Sequence, residues 1–412
     1  MSNKHQKTHN KRLRILLLLD SSFPYRGGGR ETGIFHIAKH GSEWFEMRAI
    51  TMSPPKNSKE IFFPEAYNYF NFYHTFSMQT LLQFRGYNKI ANFLDNIFFP
   101  AQAKLKVQFI CKKWRPDAVV CVHAGPLGLA AMDIAKRFQC LSVLNMRSIY
   151  SEEVRLTSIL HKPFWRLFKR VEHKVINEID LILANGEDTY EICKEKHGRK
   201  KPIEIVHNGV NTNLFRPSTQ ISLRKKLGLE NHIVFISNNP MRFIKGPHHA
   251  LSAIARMPEP VKSSSRILFF GKGPSSLQFQ KHAKQLGIDD LVVWLPQVKH
   301  QEVSYYLSTA DIAIHPVLFS AGTTHASLET LACGLPQISY NSASLRSTCV
   351  NGETGILVQK GDIDGLSKAM TMLATNKCLR KKMSLSARKL SLKFDWSKYV
   401  KNYAEFIKYY SR

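Results

Sequence analysis

Short apolar runs alternate with amphipathic stretches along this chain of 412 residues, and the alternation predicts parallel β-sheets flanked by helices. The apolar runs are almost continuous in Val, Ile and Leu, which is typical of strands buried on both faces. One series of predicted strands begins with RILLLLD at 14–20, and a second begins with IVFISNN at 233–239. The other predicted strands are 118–124, 141–147, 181–185 and 202–208 in the first series, and 266–273, 291–296, 312–317, 336–341 and 355–359 in the second.

Two series of strands predict two Rossmann-like domains, and 412 residues are too many for one ordinary hydrophobic core. Turn-forming residues are concentrated in NGVNTNLFRPSTQ at 208–220, so the boundary is predicted there. The N-terminal domain then covers 1–208 and the C-terminal domain covers 209–394. Residues 395–412 have apolar positions at helical spacing, and we expect this last helix to pack back on the N-terminal domain.

The charge balance is strongly basic. The chain has 59 Lys and Arg against 31 Asp and Glu, a net charge of +28, which attracts nucleic acid, an anionic membrane face or phosphate-rich ligands.

Its seven cysteines are scattered and form no CxxC pair, so they indicate neither a zinc ribbon nor a disulfide framework and fit a reducing cytoplasm. The apolar run ILLLL at 15–19 is far shorter than the ~20 residues that span a bilayer, and no cleavage site for a secretory signal follows it.

Two segments are candidates for contact with an anionic bilayer. Residues 61–100 contain 13 aromatic side chains, and the only Lys and Arg residues among them are Arg85 and Lys89. The alternative is a small subdomain that packs its own aromatic rings. Residues 160–174 are basic and aromatic, and the alternative there is a structural helix with a solvated basic face. Membrane contact is favoured because no nucleic-acid motif accounts for the charge. In the second segment, Arg166, Lys169, Arg170 and His173 are at helical spacing.

A glycine-rich turn, FPYRGGGRETG at 23–33, follows the first predicted strand and precedes a helical stretch. Its glycines, Gly28 and Gly29 among them, let the backbone approach a ligand, and the helix N-terminus behind them offers N–H groups to an anion. The alternative is an ordinary flexible turn between a strand and a helix. The pattern is neither GxGxxG nor a P-loop.

Two cations follow the first strand of the second series, in NNPMRFIKG at 238–246. Arg242 and Lys245 lie at the carboxyl end of the strand, where α/β proteins bind ligands, and could hold a diphosphate. The alternative is two solvated cations in a chain that is rich in them.

A loop that leads into a helix follows the strand ending at His315, in FSAGTTHASLETLACGLP at 319–336. Thr323 and Thr324 are suitable N-cap residues for this helix. Glu329 is predicted one turn further on, where its carboxylate could accept hydrogen bonds from a ribose diol. The alternative is a first-turn glutamate that is stabilised by the helix dipole.

His123 and Arg147 each follow a predicted strand of the N-terminal domain, in HAGPLG and NMRSIYSEE. The carboxyl ends of parallel strands lie at one edge of a sheet, so both residues are site candidates. The alternative for His123 is a histidine that belongs to no site.

In combination these segments resemble the family 4 glycosyltransferases, which are retaining enzymes of the GT-B fold. The resemblance covers most of the chain. The motifs that carry it are LILANGEDTYEICKEKHGRKKPIEIVHNGVNTNLFRP, FFGKGP, STADIAIHP, LETLACGLP and VNGETGILV, which occur in the family's order.

The resemblance implies an α/β architecture in which two Rossmann-like domains turn their parallel sheets towards a central cleft. It implies transfer of a sugar from a nucleotide-diphosphate sugar to an acceptor hydroxyl, with no metal and no cofactor beyond the donor substrate. The expected acceptor is a lipid-linked or surface-glycan hydroxyl at the cytoplasmic face of the cell membrane, with an anionic membrane surface as a partner and no specific nucleic acid. The residues given roles are Arg242, Lys245, Arg147 and His123 in catalysis, and Glu329 (ribose), Gly322, Thr323, Thr324, His325, Gly28 and Gly29 in binding the donor and its phosphates.

Two positions depart from the family's pattern. Ala321 stands eight residues before Glu329, where the family carries a further glutamate, and Arg147 stands where many members carry a histidine. Arginine cannot shuttle a proton at neutral pH. These departures keep open a catalytically silent GT-B protein that acts as a binding or assembly partner. A basic nucleic-acid-binding protein is the third hypothesis.

Overall fold

The computed structural model describes residues 12–25, 29–54, 61–78, 89–147, 149–151, 165–218, 221–270, 275–320 and 322–411. The chain forms two compact units. Unit 1 comprises Met1–Val206 together with Trp396–Arg412, and unit 2 comprises His207–Asp395. The boundary predicted from the sequence, between 208 and 209, lies two residues from this division. The ligand roles given to the two domains stay predictions.

Unit 1 is built on a parallel sheet of seven strands in the order β3-β2-β1-β4-β5-β6-β7. Strands β1 and β4–β7 confirm the apolar runs predicted in this half. Strands β2 and β3 were not predicted, because polar and apolar residues are mixed in them, as in FNFYHT. The bounds are β1 Leu13–Leu19, β2 Phe45–Met52, β3 Phe70–Thr75, β4 Ala118–Cys121, β5 Leu141–Met146, β6 Leu181–Ala184 and β7 Ile203–Ile205.

Helices cover both faces of this sheet. Helix α1 (Gly29–Gly41) packs against the C-terminal helix (Trp396–Tyr410). Helix α2 packs against α3, and α3 against α4, so these three form a layer on the other face, as right-handed crossovers require. The bounds are α2 Lys89–Ile110, α3 Pro126–Phe138, α4 Trp165–Glu178 and α5 Glu187–Glu191, the last continuing as a π-turn at Ile192–Lys196.

Unit 2 has a parallel sheet of six strands in the order β10-β9-β8-β11-β12-β13. All six strands were predicted. Their bounds are β8 Ile233–Ser237, β9 Ser265–Phe270, β10 Val292–Leu295, β11 Ile312–His315, β12 Gln337–Tyr340 and β13 Gly355–Val358. The helices are α6 Ile221–Lys226, α7 Pro247–Ala255, α8 Glu259–Ser263, α9 Ser276–Gln285, α10 His300–Leu307, α11 His325–Ala332, α12 Ala343–Arg346, α13 Ile363–Thr375 and α14 Lys377–Ser391.

Alternate side chains of β8 enter two separate hydrophobic clusters. Phe235 belongs to one cluster, whereas Val234 and Ile236 belong to the other, and all three are fully buried. Because successive side chains of a strand point to opposite faces, the sheet has a core on each side. This explains why strands such as β8 and β10 appear as almost continuous apolar runs.

Both sheets reverse their winding direction at one point. In unit 1 the chain winds outward in both directions from the neighbours β1 and β4, and in unit 2 from β8 and β11. Loops leave such a switch point on opposite faces, and the crevice beyond the carboxyl ends of the two strands is the usual ligand site of open α/β sheets. We call these places the unit 1 and unit 2 switch points.

The opposite, amino-terminal edge is fixed in the same way in both units. Asp117 accepts a hydrogen bond from Arg14 N at 2.7 Å, and its own N–H donates to Arg14 O at 2.8 Å. Asp311 makes the equivalent pair with Val234, at 2.8 Å and 2.8 Å. Each carboxylate therefore ties the two central strands of its sheet together before they run to the switch point.

Among the described residues, no helix combines the length and the apolar character needed to cross a membrane.

Candidate functional site

The turn after β8 is pressed against the loop after β11. The turn contains a short 3₁₀ helix, Phe243–Lys245, and Gly246 follows it with a φ of +73°. Leu318 N and Phe319 N donate to Ile244 O at 3.0 and 3.1 Å. A methyl group at Gly246 would lie 2.0 Å from Pro316 O, so the close approach of the two backbones requires glycine there.

Gly246→Ala is expected to lower the free energy of unfolding by about 3 kcal/mol or more, because the left-handed backbone and the clash with Pro316 O act together. Gly287→Ala is the matched control, since Gly287 has a φ of +65° and nothing within 4 Å of the added methyl. The control should lose only about 1 kcal/mol. Urea denaturation of both variants measures the difference, and equal losses would contradict the contact.

Lys245 places a partly desolvated ammonium at the unit 2 switch point. Its Nζ donates to Ser320 Oγ at 3.2 Å and to Phe319 O at 3.4 Å. Burial, together with the positive charge of Arg242, lowers the pKa of Lys245 to about 8. Arg242 itself is exposed. The two predicted cations are thus in one turn, with Lys245 held inward against the neighbouring loop.

Glu329 lies in α11 beyond its first turn. Thr324 is the N-cap and accepts a hydrogen bond from Ser327 N at 3.2 Å, and Glu329 is the fifth residue after it. The first turn contains no acidic residue. The helix dipole acts mainly within the first turn, so the dipole explanation for Glu329 is wrong.

Two side chains hold the Glu329 carboxylate from either side. Asn238 Nδ2, at the end of β8, donates to Oε2 at 2.9 Å. His300 Nε2, at the start of α10, donates to Oε1 at 2.8 Å. This hydrogen bond raises the pKa of His300, with the negative charge of Glu329 adding to it against the effect of burial. Glu329 is only 9% exposed, yet a carboxylate has acceptor capacity beyond two hydrogen bonds.

The loop between β11 and α11 is anchored by the segment that follows β7. Thr323 Oγ1 shares a hydrogen bond of 3.0 Å with His207 Nδ1, and Asn208 Nδ2 donates to Thr323 O at 2.6 Å. Gly322 has a φ of +71°, and His325 is the first residue of α11. The structure therefore brings Gly322, Thr323, Thr324 and His325 together at the N-terminus of this helix. Ala321 lies outside the described residues.

His315 is a structural residue at the same switch point. It is fully buried, and burial lowers its pKa to about 3, so the ring is neutral. Asn239 Nδ2 donates to its Nδ1 at 2.9 Å, and its Nε2 therefore donates to Thr330 Oγ1 at 2.9 Å. These bonds join the ends of β8 and β11 to α11 and fix the geometry around Lys245 and Glu329.

The unit 1 switch point contains a buried carboxylate and imidazole in contact. Asp20 directly follows β1, and its Oδ2 lies 2.7 Å from Nε2 of His123. Gly125 N donates to His123 Nδ1 at 3.1 Å, so the ring carries its hydrogen on Nε2 and donates it to Asp20. The ring of Tyr150 stacks on the imidazole at a centroid distance of 4.6 Å. His123 is thereby fixed in position and in tautomer.

Asp20 is ionised at neutral pH. Burial alone would raise its pKa, but the electrostatic attraction of His123 and of the Arg30 guanidinium, together with the hydrogen bond from His123, outweighs burial and holds the pKa well below its usual range. Arg30 Nη1 lies 3.3 Å from Asp20 Oδ1, and Arg30 Nε lies 3.4 Å from Glu31 Oε1. The Asp20 carboxylate is therefore held ionised between His123 and Arg30 at the unit 1 switch point.

Arg147 is buried between two helices of unit 1. It is 8% exposed and donates from Nη2 to Tyr399 Oη of the C-terminal helix at 3.0 Å. A methyl group built on Gly33 of α1 would lie 2.1 Å from Nη1, so the guanidinium packs directly on that helix. The contacts hold the C-terminal helix against α1, and a role for Arg147 towards a ligand stays a prediction.

The glycine-rich turn is described only in part. Gly28 lies outside the described residues, and Gly29 is the first residue of α1.

Three residues of the two switch points were not predicted from the sequence: Asp20, Asn238 and His300. Asp20 had a usable signal, since it is the charged residue that ends an otherwise apolar strand. His300 had none, because its partner Glu329 stands on another helix.

Two family models match this chain. The model for glycosyl transferases group 1 matches residues 219–390, and the model for Glycosyltransferase Family 4 matches residues 27–214. A D-inositol 3-phosphate glycosyltransferase of Kribbella flavida is 26% identical over 235 residues, 55% of this chain and 55% of that protein. One of Mycobacterium tuberculosis is 28% identical over 212 residues, 49% of this chain and 42% of that protein. The chain spans about half the length of the curated relatives it matches.

Solved structures show the same fold over nearly the whole chain. Sucrose-phosphate synthase from Thermosynechococcus elongatus has a TM-score of 0.79 at 15% identity, covering 96% of this chain and 98% of that one. Anabaena Alr3699/HepE in complex with UDP-glucose has a TM-score of 0.74 at 16% identity, covering 97% and 100%. WaaG, a glycosyltransferase involved in lipopolysaccharide biosynthesis, has a TM-score of 0.71 at 16% identity, covering 95% and 99%. The resemblance inferred from the motifs is confirmed: the chain belongs to the family 4 glycosyltransferases and has the GT-B fold.

Proposed function

We propose that the chain is a retaining glycosyltransferase that moves a sugar from a nucleotide-diphosphate sugar to a hydroxyl of a lipid-linked or surface-glycan acceptor at the cytoplasmic membrane face. One observation carries the donor half of this proposal. The Lys245 ammonium and the Glu329 carboxylate are both fixed at the unit 2 switch point, by Ser320 in the first case and by Asn238 and His300 in the second. The Lys245 ammonium can neutralise charge on a diphosphate, and the Glu329 carboxylate can accept hydrogen bonds from a ribose diol.

Charge on the leaving diphosphate is the main electrostatic demand of this reaction. Lys245 and Arg242 supply positive charge, and the N-terminus of α11 supplies backbone N–H groups around Gly322–His325. Lys245 and the N-terminus of α11 are held by their own hydrogen bonds, so they would stabilise developing charge with little reorganisation. Glu329 accepts hydrogen bonds from the ribose hydroxyls and thereby orients the nucleotide.

The acceptor half is assigned to unit 1. Asp20 is ionised and buried, and its carboxylate has acceptor capacity beyond the bonds from His123 and Arg30. An acceptor hydroxyl that donates to Asp20 is oriented and made more nucleophilic. The new bond to the anomeric carbon forms as the bond to the diphosphate breaks, and the hydroxyl proton passes to an oxygen of the departing diphosphate.

Similar solved structures support particular candidates for donor and acceptor. Anabaena HepE is solved with UDP and with UDP-glucose, so UDP-sugars are the first donors to test. WaaG is described as involved in lipopolysaccharide biosynthesis, and WaaB is described as a lipopolysaccharide outer core galactosyltransferase. These support a surface-glycan acceptor, whereas the inositol phosphate relatives offer a soluble one for comparison.

A thermal-shift screen with UDP-, GDP-, ADP- and CMP-sugars tests donor binding. We expect one nucleotide class to raise the melting temperature, since a ligand at 100 times its Kd adds about 2.7 kcal/mol to stability. Glu329→Gln should weaken that ligand by at least about tenfold, because the amide offers one acceptor oxygen where the carboxylate offers two. The control Glu353→Gln alters an exposed glutamate of unit 2 and should bind as the unaltered chain does.

The results separate the hypotheses. No shift with any nucleotide, or unchanged binding by Glu329→Gln, contradicts the assigned donor site. Binding without sugar transfer or donor hydrolysis supports the catalytically silent alternative, which the sequence motivates through Ala321.

A further inference from the structure

The helical layer of α2, α3 and α4 exposes an apolar stripe. On α2, Phe98 is 46% exposed, Leu105 is 62% exposed and Phe109 is 74% exposed. Intervals of seven and four residues place these three side chains on one face of the helix. Leu167 on the neighbouring basic helix α4 is 55% exposed. In the described part of this helical layer, large apolar side chains are therefore exposed to solvent, and three of them lie in a line along α2.

The same helical layer is strongly basic. Among the described side chains of α2, α3, α4 and the turn after α2, nine Lys and Arg are exposed, against two exposed acids, Asp133 and Glu178. Lys112 continues the line of the stripe, with its Nζ 5.6 Å from the centroid of the Phe109 ring. A long cationic side chain beside an apolar one can keep its charge in water while its stem covers apolar surface. The nine are Lys112, Lys113, Arg115, Lys136, Arg137, Arg166, Lys169, Arg170 and Lys174.

We propose that this helical layer docks on an anionic lipid bilayer, with Phe98, Leu105 and Phe109 entering the boundary between headgroups and acyl chains and the surrounding cations at the level of the lipid phosphates. The apolar stripe and the one-sided charge are what an interfacial helix needs. The inference deepens the membrane location in the proposed function and names the surface responsible. Leu105 argues against a nucleic-acid partner, because a leucine side chain can neither stack on a base as an aromatic ring does nor contact phosphate favourably.

The surface overlaps only in part with the two segments that the sequence singled out. Phe63 and Phe70, within 61–100, are buried and pack on Phe23 at centroid distances of 5.6 and 5.5 Å. These rings belong to the core of unit 1 and are not available to a bilayer. The exposed cations of α4, from the second segment, lie in the same layer as the α2 stripe. The parts of both segments at 79–88 and 152–164 lie outside the described residues.

Co-sedimentation with vesicles tests the proposal. The full chain is mixed with phosphatidylcholine vesicles that contain or lack 30% phosphatidylglycerol, at moderate salt. Leu105→Ser should reduce binding to the anionic vesicles by about tenfold, and the matched control Leu385→Ser, at a 67% exposed leucine of α14 in unit 2, should not. The double variant Lys112→Ala/Lys113→Ala should reduce binding by about 30-fold, from about 1 kcal/mol per cation near the surface. The control Lys381→Ala/Lys382→Ala makes the same change of charge on exposed lysines of α14.

Binding that is lost in both test variants and kept in both controls supports the docking surface. Absence of vesicle binding, or equal losses in the two lysine variants, overturns it, the latter because net charge alone would then explain binding. Unchanged vesicle binding by Leu105→Ser also overturns it, and tight poly(U) binding that only the Lys112/Lys113 variant loses would assign the surface to nucleic acid. Nucleotide-induced stabilisation, measured on the same variants, should stay unchanged, so failure of the donor site and failure of the docking surface give different results.

Discussion

Replacing Lys245 with methionine is expected to raise the melting temperature of the unliganded chain at pH 7 and also to abolish its stabilisation by a nucleoside diphosphate. Burial lowers the pKa of Lys245 to about 8 from an ordinary 10.5, so the folded chain holds this charge at a cost. Each pKa unit corresponds to about 1.4 kcal/mol. Because the side chain is not fully buried, we expect a gain of about 1–3 kcal/mol from methionine, which has a similar volume.

The pH dependence has a definite sign. Between pH 8 and 10.5 the unfolded chain keeps the Lys245 proton that the folded chain has lost, so the lysine chain gains stability with rising pH relative to Lys245→Met. The stability difference between the two therefore closes from pH 8 upward. Nucleotide affinity should fall over the same range as the ammonium loses its charge.

Lys245→Arg is the matched control for this result, since arginine stays charged across the whole range. Its nucleotide affinity should not fall above pH 8. Differential scanning fluorimetry and calorimetric titration from pH 6.5 to 9.5 measure both effects. A methionine variant that binds nucleotides as tightly as the lysine chain would remove Lys245 from the diphosphate site.

Asp20→Asn is expected to reduce sugar transfer by about 10²–10³-fold, in the range of lost hydrogen-bonding and proton-transfer groups in active sites, while nucleotide-induced stabilisation is unchanged. The ionised carboxylate at the unit 1 switch point would be replaced by a neutral amide, which accepts a weaker hydrogen bond from the acceptor hydroxyl. The variant should also unfold more easily at neutral pH, since His123 and Arg30 lose a charged partner. Because the folded pKa of Asp20 is depressed, that stabilisation is present above pH 4 and is lost as the pH falls towards the folded value.

Asp117→Asn is the control for Asp20→Asn. It makes the same substitution at the other end of β4, where the amide oxygen can still accept the hydrogen bond from Arg14 N. We expect little effect on transfer. Kinetics with saturating donor, together with the shift caused by the nucleotide, separate a role towards the acceptor from a general loss of structure. Transfer by Asp20→Asn at the unaltered rate would leave Asp20 as a structural partner of His123.

The sequence predicted those parts of the fold that depend on local pattern. In unit 2, strands such as β8 (IVFIS) and β10 (VVWL) appear as almost continuous apolar runs because a hydrophobic cluster lies on each face of the sheet. Strands β2 and β3 carry polar side chains in alternation, as at Arg48 and Asn71, so their pattern did not stand out. Because β3 was not predicted, the buried aromatic residues near it, such as Phe63 and Phe70, were interpreted as part of a segment for membrane contact, with a small self-packed subdomain as the alternative.

The candidate site was predictable only where a motif stands on contiguous residues. Lys245 and Glu329 were found from the segments that contain them. Asn238 and His300, which hold Glu329, come from positions 91 and 29 residues away, and no periodicity connects them. The position of Arg147 depends on Tyr399, 252 residues further along the chain, so its burial against the C-terminal helix could not be anticipated from the strand that precedes it.

The carboxylates at the amino-terminal edges of the two sheets also limit the length of the strands. In unit 1, Asp20 is the sixth residue after Arg14, and His123 is the sixth residue after Asp117. The Arg14–Asp117 hydrogen bond at one edge of the sheet and the Asp20–His123 contact at the other are therefore joined by the same number of residues in β1 and in β4. Deleting or inserting one residue in either β1 or β4 would keep only one of these pairings and would turn the following side chains to the opposite face of the sheet. Natural variation in this part of the chain should thus be confined to substitutions, with changes in length found in the loops.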